Sequence, residues 1–270
     1  MPSDRRELPA AERVDEILIE LERAYPDARI ALDFSTPLEC VVATLLSAQS
    51  TDRKINEVTS WLFKKYRSPK DYLAVPEDEL KEDLKPTGFF NQKTKSVRNL
   101  SQKLLDDFDG EVPGTMAELI TLPGVARKTA NIVQSNCFAE VLKEDPDAGI
   151  AVDTHVGRVA VRLGLTKHHS KDAAKIEKDL MELFPKEKWP TVPNAFIMHG
   201  RTTCDAKRPR CENCAVEPLC PSSQEAGLTD LFRVPVKKTV KEKTTVKMKP
   251  TAKKTGVRKE TRARRAGPKR

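Results

Sequence analysis

The sequence has little of what builds sheets. Aromatic residues make up 5 % of its 270 positions, glycine fills only 11, and no alternating Val/Ile/Thr run recurs. Strands favour those residue types, so their scarcity disfavours a sheet-centred architecture and points to an all-α chain. Also missing is any apolar run of membrane-spanning length, which excludes a helical membrane protein. The first residues, "MPSDRRELPAAER", mix both charge signs and carry no apolar signal segment. The expectation is a soluble, intracellular, monomeric protein. Its length suits one large domain or two small ones, each with a sizeable core.

Charge is present in quantity and unevenly. The net value is +8, but residues 226–270 hold sixteen Lys/Arg against three Asp/Glu, so this tail carries +13 and the rest −5. The body is mildly acidic. The appendage reads as disordered and polyanion-seeking, with a merely solubilising end as the plain alternative.

Helical periodicity runs through the body. Val14, Ile17, Leu18 and Leu21 form one apolar stripe. Thr36 is placed to cap a central helix, with Pro37 at its first position and Glu39 closing a capping box. A long amphipathic helix runs from Asn91 to Asp109, where Gly110 stops it. Further helices are expected from Thr115 to Thr121, up to about Phe138, and over Asp153–Leu163, Ser170–Leu183 and Trp189–Thr203.

Of six cysteines, Cys40 and Cys137 stand apart in apolar helical contexts and read as core residues. The other four lie within seventeen residues: Cys204, Cys211, Cys214 and Cys220, spaced C-x6-C-x2-C-x5-C. Disulfides are disfavoured in an intracellular chain. Zinc suits four thiolates, but its sites usually use two separated C-x2-C knuckles. One short loop supplying every ligand suits an iron–sulfur cubane better. Such a closed site leaves no position for substrate, so its role is to staple the loop. Lys207, Arg208 and Arg210 ride on that loop, placed to meet phosphates.

The spacing after "MHGRTTC" resembles that of the endonuclease III family. So do "LLSAQSTD" (Leu45 to Asp52), "TGFFNQK" (Thr87 to Lys93), "LPGVARKTAN" (Leu122 to Asn131) and "VDTHVGR" (Val152 to Arg158), which occur in family order. The resemblance spans Val14 to Pro221. It implies a helix-hairpin-helix DNA glycosylase with AP-lyase activity and a [4Fe–4S] cluster held by the four clustered cysteines. It also implies two helical lobes with double-stranded DNA in the cleft between them, and action on the nucleoid in the cytoplasm. The expected division is an N-terminal helix of the cluster lobe over 1–33, a six-helix barrel lobe over 34–149, the cluster lobe over 150–225 and the basic tail over 226–270.

"LPGVA" is the hairpin. The helix after it begins near Ala126, and its first amides lack intrahelical partners. With the helix dipole they form a phosphate site, so Leu122, Gly124, Ala126 and Arg127 are candidate DNA contacts. Lys128 falls in the first turn. The positive helix end and neighbouring Arg127 both disfavour a protonated amine there, which suits a nucleophile. On position alone, a phosphate-binding lysine is an equal reading. The resemblance makes Lys128 the catalytic amine and Asp153 the catalytic carboxylate, and Asp153 is also placed to cap a helix. A target base must leave the duplex. By resemblance Gln49 fills the vacated space, Phe89 is an intercalating wedge, and Asp52 and His155 belong to the base pocket. The plainer readings are a helix-end residue for Gln49, a core residue for Phe89 and a structural histidine for His155.

Two features depart from the family. Ala126 stands where glycine is usual, and "AEVLKEDPDAG" (Ala139 to Gly149) lengthens the link to Asp153. The reading is a bifunctional glycosylase that removes oxidised pyrimidines and nicks by β-elimination. Its rivals are an adenine-excising mispair glycosylase of the same superfamily and a DNA-binding relative without turnover.

Overall fold

The computed structural model describes residues 4–225 and Gly227; the basic tail thus lies outside the described residues. Among the described residues there is no strand, and every regular element is helical. The α-helices are α1 (Ala10–Ala24), α2 (Pro37–Leu46), α3 (Asp52–Lys65), α4 (Pro69–Ala74), α5 (Glu77–Leu84), α6 (Phe90–Asp107), α7 (Met116–Leu119), α8 (Arg127–Cys137), α9 (Ala139–Glu144), α10 (Thr154–Arg162), α11 (Ala173–Leu183) and α12 (Thr191–Thr202). None is long and apolar enough to cross a membrane.

Local chemistry sets the boundaries. Thr36 accepts from the Glu39 amide at 3.2 Å and Pro37 opens α2. The Glu39 carboxylate, however, takes the amide of Ser35 rather than that of Thr36, so the capping box expected at this terminus closes one residue further out. α6 ends as its sequence requires: Asp109 and Gly110 both turn to positive φ, and the Gly110 amide closes on the Leu104 carbonyl at 2.8 Å.

The buried apolar residues form two cores. One gathers α2 through α8, with Leu46, Leu62, Leu100, Met116 and Val133 fully enclosed. Cys40 is buried in it and Cys137 packs against it. The second core joins the α1 stripe of Val14, Ile17, Leu18 and Leu21 to α10, α11 and α12 and to Val216 and Leu219 of the cysteine loop. N- and C-terminal segments therefore share one core. The side chains change cores between Phe138, packed on the first, and Leu142, buried in the second.

The lengthened link is ordered structure. Ala139–Glu144 is α9, and buried Asp145 after it ties three segments together. Its Oδ2 accepts from the Met116 amide and from Gln134 Nε2, each at 2.6 Å, and its carbonyl accepts from Lys186 Nζ at 2.7 Å. Burial alone would raise this carboxyl; the donors from Met116, Gln134 and Asp147 outweigh it and hold it below the ordinary range.

Candidate active site between two helical cores

The cores meet at a cleft of about 160 Å³. Thr44, Ser47, Asp52, Lys128 and Ile132 reach it from the first core's elements; Asp153, Asn194, Ile197 and Arg201 reach it from the second's. Lys128 and Asp153, 25 positions apart in sequence, thus face one space from opposite sides of the fold.

Each is placed by a helix start. At α8 the chain turns through Gly124, with φ +84, and the Val125 amide closes on the Leu122 carbonyl at 3.0 Å. A Cβ on Gly124 would sit 3.0 Å from Leu45, so this turn favours glycine for conformation and for space. Ala126 is the N-cap residue and no side chain caps α8, so its first amides point outward unpaired by side chains. Lys128 is exposed in that first turn. At α10, Asp153 is the N-cap: its Oδ1 accepts from the amides of His155 and Val156, both at 2.8 Å. Both cap bonds fall on one oxygen. Among the described residues no donor is bound to Oδ2.

Asp52 lies in the cleft, and its Oδ2 accepts from Arg201 Nη2 at 2.8 Å, a bridge from α3 to α12. Arg201 was not singled out by sequence reasoning, although it lies in "MHGRTTC"; its partner is 149 positions away. His155 does not line the cleft. Its ring packs on Gly200 of α12, where a Cβ would lie 3.2 Å from Nδ1, and Nδ1 is 3.2 Å from Arg158 Nη2. The α10 periodicity turns position 155 towards α12, where the ring packs beside Arg158 and stays partly exposed.

Gln49 and Phe89 are not among the residues that line the cleft. Phe89 is 65 % exposed, which rules out the core reading for that side chain. Both residues adopt the left-handed backbone conformation, φ +55 and +50. Leu122 is buried at the hairpin, at 2 % exposure. Arg127 is partly engaged elsewhere: its Nε donates to Glu177 Oε1 at 3.0 Å, and Asn131 Nδ2 donates to the same oxygen at 2.8 Å. Glu177, buried on α11, thereby fastens α8 to the second core, a role its sequence position gave no hint of.

The four clustered cysteines line one small cavity, and none forms a disulfide. Burial pushes the thiols of Cys214 and Cys220 up to about 11 and about 12, so an anionic sulfur there needs a compensating centre. Donors are already in place: Arg162 Nη1 donates to Cys204 Sγ at 3.2 Å, and His199 Nε2 lies 3.9 Å from Cys214 Sγ. A closed set of four sulfurs with hydrogen-bond donors around it fits an iron–sulfur centre. On the loop between them, Asp205 Oδ1 accepts from the amides of Lys207 and Arg208 at 2.8 and 3.0 Å, leaving both side chains exposed. Arg210 instead folds its guanidinium back onto the Thr202 carbonyl.

Residues 42–186 match the HhH-GPD superfamily of base excision DNA repair proteins. The chain is 45 % identical over 213 residues to endonuclease III of Synechocystis sp., covering 79 % of this chain and 94 % of that protein. This chain belongs to the endonuclease III family. Endonuclease III of Escherichia coli K12 is 37 % identical over 205 residues, 76 % of this chain and 93 % of that protein. Among solved structures, a trapped endonuclease III–DNA covalent intermediate superposes with a TM-score of 0.73 at 39 % identity, covering 82 % of this chain and all of the other. A thermostable thymine-DNA glycosylase shares the fold, with a TM-score of 0.69 at 21 % identity. The all-α, helix-hairpin-helix architecture of the endonuclease III family is thus that of the described residues.

Proposed function

We propose that this chain is a base-excision-repair glycosylase that removes oxidised pyrimidines from duplex DNA and then cleaves the strand as an AP lyase through a Schiff base on Lys128. The observation that carries the reading is the shared cleft of Lys128 and Asp153, each fixed at a helix start on a different core. Family membership supports it, as does the similarity to an endonuclease III trapped covalently on DNA.

The chemistry follows from those positions. The uncapped amides of α8 accept a phosphate without reading sequence, which sets the register of the duplex. The damaged nucleotide is flipped into the cleft; Phe89 and Gln49 occupy the space it leaves. The Lys128 amine attacks C1′, and the C1′–N bond breaks with its electrons leaving on the base. Asp153 Oδ2 stabilises the positive charge that develops on the sugar and receives the proton lost by the amine. The base anion takes a proton from water. Ring opening returns the proton on Asp153 to O4′ and gives an iminium on Lys128. Transfer of a C2′ proton to the freed carboxylate then expels the 3′ phosphate, and water hydrolyses the iminium to release the enzyme.

Cys204, Cys211, Cys214 and Cys220 would hold the [4Fe–4S] cluster. A fully ligated cluster fixes a loop and supplies no catalytic position. Within that loop Lys207, Arg208 and Arg210 extend the phosphate-binding surface; all three are exposed, and Arg210 also donates to the Thr202 carbonyl. The enzyme acts in the cytoplasm on the nucleoid. A panel of duplexes bearing single damaged bases, scored for nicking, tests the reading: oxidised pyrimidines should be cut and adenine opposite a mispair left intact. Adenine excision without strand cleavage would contradict it.

A further inference from the structure

Lys93 takes no part in the chemistry above, yet it is buried at 5 % exposure beside the two turns that carry Gln49 and Phe89. It lies in the first turn of α6. Its Nζ donates to the Thr87 carbonyl at 2.7 Å and to Ser50 Oγ at 2.8 Å, while its own amide donates to the Phe89 carbonyl at 3.1 Å. Ser50 Oγ in turn donates to the Thr87 carbonyl. Lys93 therefore holds the Phe89 turn on both sides, its side chain at Thr87 and its backbone amide at Phe89, and the same side chain reaches the residue after Gln49.

The location is an awkward one for a cation. The helix start repels positive charge, burial pushes the amine down from its ordinary value, and among the described residues Lys93 forms no ion pair. An apolar side chain of the same length would fill this space at lower cost. The turns it joins are unusual in the same way. Gln49 and Phe89 are two of three non-glycine residues with positive φ among the described residues, a conformation kept only where the surroundings impose it.

We propose that Lys93 is a positioning residue that ties the Gln49 turn to the Phe89 turn, so that both side chains enter the duplex as one unit when the base is flipped. This rests on the glycosylase reading above.

The test uses the full chain and two measurements. One is single-turnover nicking of a duplex with a damaged pyrimidine opposite 2-aminopurine, whose fluorescence rises on unstacking. The other is borohydride trapping on a single-stranded oligonucleotide with a preformed abasic site, where no duplex needs opening. In the otherwise unaltered chain, the losses from Gln49→Ala and Phe89→Ala should not multiply, because removing either disables the unit. In Lys93→Met they should multiply. Lys93→Met itself should lower duplex nicking relative to single-strand trapping by about 10²-fold, the loss that a displacement near 1 Å can bring, and should blunt the fluorescence rise. Its melting temperature should hold or increase. Ser50→Ala cuts only the link to the Gln49 turn and should give the same uncoupling, which covers poor folding of Lys93→Met. Coupling that survives in both variants overturns the proposal, as does an equal fall in nicking and trapping. Absence of any adduct with the unaltered chain would instead overturn the glycosylase reading and leave the link between the turns to be judged by fluorescence, where an unchanged rise in Ser50→Ala refutes it.

Discussion

Replacing Glu177 by alanine should loosen the junction on which the active site depends. Glu177 Oε1 accepts from Asn131 at 2.8 Å and from Arg127 at 3.0 Å, so a single buried oxygen on α11 holds two donors of α8. Their losses differ in size. Asn131 is buried at 1 % exposure and would keep an amide donor without an acceptor, at about 1–3 kcal/mol. The Arg127 side chain is 45 % exposed and can return to water, so its ion pair contributes about 1 kcal/mol or less. The expected loss is about 1–4 kcal/mol, or roughly 2–16 °C in melting temperature for a folded body of this size. Glu177→Gln retains an oxygen for Asn131 and should lose only the smaller part. Thermal melts of both variants at neutral pH, with adduct yield on abasic DNA measured alongside, check this. The adduct yield should fall in Glu177→Ala, because α8 carries Lys128 whereas Asp153 is set on the other core. Equal melting of the glutamine and alanine variants would refute the reasoning, since the buried acceptor would then contribute nothing.

Asp153→Asn should bind DNA and stay folded but cut slowly, by about 10²-fold or more in single-turnover nicking. Asp145 gives a pH signature. Its folded carboxyl is held below the ordinary value, so its contribution is full above the unfolded value and fades as pH falls through the folded one. Urea midpoints should therefore separate from those of Asp145→Asn above about pH 4 and converge below it. The tail lies outside the described residues, and its +13 charge sets an expectation of its own. Deleting residues 226–270 should flatten the salt dependence of binding to undamaged duplex, by about 0.9 in slope for each phosphate that the tail would otherwise neutralise, and leave cleavage at saturating DNA unchanged.

Features written in neighbouring residues were legible in the sequence. The Thr36–Pro37 start of α2, the Gly110 stop of α6 and the Asp153 cap of α10 each rest on contacts within six positions, so local propensity sufficed. α9 is not legible because six residues, half of them charged, carry too little periodicity; its helix is held by Leu142 entering a core built mostly from other segments. The candidate site divides the same way. That Lys128 falls in the first turn of α8 and Asp153 caps α10 is legible from their motifs. Arg201, Glu177 and the cross-link made by Lys93 are not, because each acts on partners 43 to 149 positions away. The packing of His155 is likewise not legible, because it depends on Gly200, 45 positions away, leaving room for its ring against α12.

The most direct measurement is borohydride trapping on a duplex with a single damaged pyrimidine, comparing the unaltered chain with Lys128→Gln. The account predicts one covalent protein–DNA adduct per chain for the unaltered protein, located by peptide mapping at Lys128. For Lys128→Gln it predicts no adduct and nearly unchanged DNA binding, because the phosphate site is built from the backbone of α8. An adduct formed in full by Lys128→Gln, or mapped to another lysine, would contradict it.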